Sequence, residues 1–142
     1  MQSIANKVAF DYGSLEEAFP ACDPQFEPGG SRILVQFRTP KTKTKGGIIL
    51  TDEIRQTEHY NTQVAKVLAV GPLAFHKRDT MTLWPEGAWC EVGDFVRMPK
   101  YGGDRWTVPT LDGTDEAVLA LFDDLNILGR VTGDPLAVKA FI

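Results

Sequence analysis

The sequence predicts an all-β domain, a small barrel or sandwich, on three observations. Short runs rich in β-branched and aromatic residues recur along the chain, glycines and prolines punctuate them, and no long stretch keeps an apolar period of 3.6. The 142 residues, 43% of them hydrophobic, suffice for one domain with a real core and fall short of two ordinary ones.

The first 28 residues read as an extension. Ser14-Leu15-Glu16-Glu17 has the spacing of a capping box, and Leu15, Ala18 and Phe19 share one helical face, so a single short helix is expected before Pro20. Pro24, Pro28, Gly29 and Gly30 then mark a boundary. Beyond it, Ile33–Phe37, Val64–Val70 (closed by Gly71-Pro72) and Phe95–Met98 (between Val92-Gly93-Asp94 and Pro99) read as strands. Trp106–Val108, Ala117–Phe122 and Ile127–Val131 complete the set.

Two connections exceed a tight hairpin. The first, 38–61, carries lysines alternating with Thr39, Thr42 and Thr44, then Gly46-Gly47 and one apolar triplet, Ile48-Ile49-Leu50. Lysine, threonine and paired glycine have little to bury and much backbone entropy to lose, so this arm is expected to move when free. The triplet reads either as a short core strand or as a recognition tooth that orders when it meets a groove. The second connection, 72–91, carries Phe75, His76, Leu83, Trp84 and Trp89; its aromatics read equally as core filling or as a hairpin that touches other copies.

Charge and cysteine content exclude several classes. Five acids and no base lie between Asp11 and Glu27, and five bases and no acid between Arg32 and Lys45, a pattern usual for solvated surface. The net charge of −4 argues against general nucleic-acid binding, and Arg38, Lys41, Lys43 and Lys45 lack interleaved aromatics for base stacking. Such an arm steers association instead. No apolar run reaches the roughly 18 residues of a membrane helix, and no signal peptide is visible at Met1–Lys7. Cys22 and Cys90 cannot build a disulfide framework or a thiolate zinc site, which suits a reducing cytoplasm. His59 and His76 have no ligand spacing to a cysteine or to each other, no Gly-x-Ser-x-Gly elbow occurs, and the paired acids Glu16-Glu17 and Asp123-Asp124 read as polar turns. No enzyme is expected.

The string Lys43-Thr44-Lys45-Gly46-Gly47-Ile48-Ile49-Leu50-Thr51 resembles the mobile loop of the GroES co-chaperonin family. Arg32–Val35, Val67–Gly71, Val92–Val96, Lys100-Tyr101-Gly102-Gly103, Val118-Leu119 and Ile127-Leu128 follow in the family's order, so the likeness spans about residues 29–131. It implies a GroES-like small β-barrel with a mobile loop at about 38–61, a roof hairpin at about 72–91 and a C-terminal tail from 132. It further implies a heptameric ring that caps a GroEL-type chaperonin and closes the chamber over a non-native substrate protein. ATP belongs to that chaperonin, so no cofactor, metal, nucleic acid or membrane is expected here.

Carried over by position, Gly46, Gly47, Ile48, Ile49 and Leu50 would contact the chaperonin. Ile33, Leu34 and Val35 would pair with a neighbour's Ile127, Leu128 and Val131, and Phe75, Trp84 and Trp89 would sit in the roof. Ser31 departs from the family's usual acid before the arginine, and Val64-Ala65-Lys66 lacks the glycine that commonly reopens the barrel after the loop. These departures and the added tails suit a virus-encoded member working in its host's cytoplasm. The alternative is a structural or binding module of a viral ring with no chaperonin partner. The GroES-like fold also occurs in zinc-dependent alcohol dehydrogenases, but neither their zinc ligands nor a Gly-x-Gly-x-x-Gly motif is present.

Overall fold

A computed structural model of the chain describes residues 15–39, 63–99 and 101–136. Among the described residues the fold is all-β: one antiparallel sheet of six strands, with a turn of α-helix, α1 (Leu15–Ala18), before it. The strands are β1 (Arg32–Phe37), β2 (Val64–Val70), β3 (Phe95–Arg97), β4 (Asp104–Pro109), β5 (Glu116–Asp123) and β6 (Gly129–Arg130), in the spatial order β4-β5-β1-β2-β3-β6. This is the six-strand set expected from the sequence, with β3 and β6 shorter than expected and β1, β4 and β5 longer by one or two residues at their ends. Proline at 99 follows the end of β3, and the last strand is two residues long, preceded by Ile127, which is buried in the core.

β1 is the spine. It pairs with β2 on one edge, from Ile33 opposite Val70 to Phe37 opposite Ala65, and with β5 on the other, from Arg32 opposite Asp123 to Phe37 opposite Val118. Ile33, Val35 and Phe37 project into the main core, where they meet Val67, Val96, Val118, Ala120, Phe122 and Ile127. The chain closes tightly at two glycines. A Cβ on Gly71 would collide with the carbonyl oxygens of Gly30 and Arg32, and one on Gly103 (φ +75°) would stand 2.6 Å from Cζ of Phe122.

The opposite face of β1 is buried too: Leu34, Gln36 and Arg38 are almost wholly covered. The cover comes from residues 15–28, read from the sequence as an extension. Gln36 donates from Nε2 to the Pro20 carbonyl at 2.8 Å, and Thr39 N–H donates to the Ala18 carbonyl at 2.9 Å. Farther along, Cys22 bridges to Thr110, Leu111 N–H donates to the Ala21 carbonyl at 2.9 Å, and the rings of Phe26 and Trp106 lie 5.3 Å apart. The segment thus runs antiparallel beside the outer edge of β4, with Pro24 in a position where a donor would invite another strand. Ala18 and Phe19 form a second, smaller core with Val64, against which Phe95, Val131 and Leu136 pack.

Candidate functional site

The chain leaves β1 and returns to β2 at one end of this hairpin, and both roots are fastened. On the exit side Thr39 donates from its N–H to Ala18 and from Oγ1 to the Glu116 carbonyl at 3.0 Å. On the return side Gln63 accepts from Met98 N–H through its carbonyl (2.7 Å) and donates from Nε2 to the Met98 carbonyl (3.1 Å). Its Oε1 takes a further bond from Arg97 at 3.1 Å. The arm between these roots, with Gly46, Gly47, Ile48, Ile49 and Leu50, lies outside the described residues, as do Lys41, Lys43, Lys45, His59 and Lys100.

The segment expected to form the roof occupies the other end of the β1–β2 pair, about 17 Å away along β1 at roughly 3.3 Å per residue. It is a short hairpin, with His76 bridged to Leu83, Lys77 N–H donating to Thr82 and Trp84 N–H to Phe75. Within one chain its aromatics pack on the core. Phe75 is buried, and Trp84 and Trp89 are half-buried against the core, with Trp84 4.9 Å from Trp89 and 5.6 Å from Phe75. Phe75 adopts a left-handed backbone (φ +64°), a costly conformation for an aromatic residue. The buried Asp124 carboxylate holds it there by accepting the Phe75 N–H at 2.9 Å. The Asp123-Asp124 pair is therefore split. Asp123 lies exposed, 4.0 Å from Arg32, while Asp124 works inside. Sequence reasoning took both for a polar turn and missed Asp124.

The expected subunit contact needs correction on one side. Ile33, Leu34 and Val35 are each 0% exposed, and both edges of β1 are taken within the chain, so this strand offers no edge to a neighbour. Ile127 is core, whereas Leu128 is 62% exposed and Val131 half-buried. β6 pairs on one side only, with β3, which leaves it as an end strand of the sheet.

A cleft of about 420 Å³ opens beside the hairpin, between the basic run His76, Lys77 and Arg78 and the acids Asp123 and Asp124. Among the described residues no group of His, Cys, Asp and Glu could hold a metal ion, and no helix is long and apolar enough to cross a membrane. Burial pushes the Cys90 thiol up to about 11 and also raises that of Cys22, which leaves both poor nucleophiles at neutral pH.

The model of the chaperonin 10 kDa subunit family matches residues 25–129, from the last few residues of the covering segment to the first residue of β6. The chain belongs to this family. Its relatives include the co-chaperonin GroES of Caulobacter sp. (strain K31), 32% identical over 111 residues, which span 75% of this chain and 97% of the relative. The co-chaperonin GroES of Helicobacter pylori (strain P12) is 34% identical over 106 residues, 74% of this chain and 75% of the relative. Co-chaperonin GroES 1 of Rhodopseudomonas palustris is 33% identical over 104 residues, 73% of this chain and 95% of the relative. The family span includes both roots, the hairpin with its aromatics and Asp124. It leaves out α1 and Phe19, which belong to this chain's own N-terminal part.

Proposed function

We propose that this chain is a co-chaperonin, without catalytic activity of its own, that caps a GroEL-type chaperonin in a nucleotide-dependent manner in the cytoplasm. The reading rests on one observation beside family membership: a rigid sheet fastens both roots of a 23-residue arm (40–62) at one end and packs an aromatic hairpin at the other. Such a part presents an arm downward to a partner and a lid upward.

Gly46–Leu50 is the contact within that arm. Three apolar side chains, Ile48, Ile49 and Leu50, would each contribute about 1.5–3 kcal/mol on full burial in a groove. Ordering the surrounding lysine–threonine chain offsets much of this, so one arm binds weakly. Copies on a closed ring, seven by analogy with the family, turn weak contacts into a firm cap that still releases when the partner changes state. The nucleotide sits in the chaperonin, and the enclosed substrate is a non-native protein.

Native mass spectrometry of the protein, alone and with a GroEL-type chaperonin plus nucleotide, tests the reading. A ring that joins the chaperonin only with nucleotide is expected, and Ile49→Asp should leave the ring intact and abolish joining. An Ile49→Asp ring that caps as well as wild type would overturn the assignment of the contact. A wild-type ring that never joins would move the protein to the structural-module class.

A further inference from the structure

We propose that the N-terminal segment Leu15–Pro20 is a clamp on both roots of the arm, a positioning element for partner capture that lies outside the family span. The inference rests on the co-chaperonin reading for its consequence, and on the geometry alone for the clamp. On the exit side the carbonyl of Ala18, the last residue of α1, accepts the Thr39 N–H at 2.9 Å, and the Pro20 carbonyl accepts from Gln36 at 2.8 Å. On the return side Ala18 and Phe19 bury Val64, the first residue of β2, and the Phe19 ring meets Phe95 edge-on at 5.1 Å. One turn of helix and the residues after it therefore touch the last described position before the arm and the first strand position after it.

These contacts are not simple filling. Thr39 is nearly buried although it is polar and stands past the end of β1, because Ala18 and Glu116 take its backbone and hydroxyl donors. Without the clamp its N–H would face water, and the arm's root would move back from Thr39 toward β1. The same segment closes the outer face over Val64. A shorter arm on fixed roots has fewer conformations to lose when it docks, so the clamp raises the affinity of each arm by preorganisation rather than by contact. The effect repeats in every subunit of a ring and multiplies.

The test compares Phe19→Ala, a truncation lacking residues 1–20, and Val67→Ala as a control. Val67 is wholly buried in the main core and touches neither root bond, so its loss of stability brackets that of Phe19→Ala. Hydrogen exchange at the Thr39 amide and affinity for a GroEL-type chaperonin with nucleotide are read well below the melting temperature. Phe19→Ala and the truncation should speed Thr39 exchange and weaken chaperonin binding by about tenfold or more, while Val67→Ala changes neither. Wild-type affinity in Phe19→Ala, or an equal loss in Val67→Ala, overturns the positioning role. If the truncated chain fails to fold, Phe19→Ala decides. If wild type binds no chaperonin, the co-chaperonin reading fails by itself, and unchanged Thr39 exchange in Phe19→Ala would still overturn the clamp.

Discussion

Replacing Asp124 should unfasten the aromatic hairpin from the core while leaving the sheet in place. Its carboxylate is buried, and Oδ2 accepts the N–H of Phe75 at 2.9 Å across 49 positions of sequence. Phe75 in turn seats Trp84 and Trp89 on the main core. Asp124→Ala deletes a charged acceptor and strands a buried donor at a residue already held in left-handed backbone. A hydrogen bond to a charged group contributes about 1.5–3 kcal/mol, and an unmet buried N–H costs a similar amount. The expected loss is therefore about 2–3 kcal/mol, or roughly 5–10 °C in melting temperature for a chain of this size. Asp124→Asn keeps an acceptor oxygen in the same place and should lose less than half as much. The assay is thermal melting at fixed protein concentration, since any self-association would make the midpoint concentration-dependent, together with near-ultraviolet circular dichroism of the tryptophans. Asp124→Ala should lose aromatic ellipticity below the main transition. A melting temperature within about 1 °C of wild type, with an unchanged aromatic spectrum, would refute the reasoning, because a broken bond of this kind has no cheaper outcome.

Other consequences follow from the same contacts. Gly103→Ala must place a Cβ 2.6 Å from the Phe122 ring at φ +75°, so left-handed strain and overpacking together should remove about 2–5 kcal/mol, read as a urea midpoint shift. A shift below about 1 kcal/mol would mean that Phe122 has room to move. The Cys90 thiol, raised to about 11 in the fold, ionises near its ordinary value of 9.0 in the unfolded chain. The unfolded state therefore releases its proton first as pH rises, and stability should fall between about pH 9 and 11. Cys90→Ala should flatten part of that fall, and an unchanged alkaline profile would show that other groups carry it.

The strands were legible because their signal is local. Val64–Val70 is bounded by proline and glycine and ends where the sequence says, and β1, β4 and β5 differ from expectation by a residue or two at their ends. The short helix before Pro20 was equally readable from its capping pattern. What was not legible depends on partners remote in sequence. Asp124 looks like half of a polar turn until Phe75 is seen above it, and the Phe75 backbone gives no sign in the residue itself. The error over Ile33–Val35 has the same origin. An apolar strand announces burial, but whether a neighbour or the chain itself buries it is a matter of topology, and here β2 and β5 occupy both edges. The arm's proposed contact residues, Gly46–Leu50, were marked by resemblance to the family's loop, composition alone leaving a core strand open as well, and they fall outside the described residues.

One clue to the N-terminal segment did stand in the sequence. Arg32-Ile33-Leu34-Val35-Gln36-Phe37 does not alternate cleanly between apolar and polar, and a strand apolar on both sides needs a layer on each. The main core supplies one layer, and residues 15–28 supply the other over Gln36 and Val64 and along β4. That cover has a consequence for recognition. Where the segment lies, the outer face is closed to any partner, and the β4 edge is screened by Cys22 and Phe26. Among the described residues, exposed apolar side chains remain on the hairpin at Met81 and Leu83, around the start of β6 at Leu125 and Leu128, on turns at Val92, Tyr101 and Leu111, and on the segment itself at Leu15 and Phe26. With that face covered, a chain arranged this way has its loops and rims left for contact with other molecules.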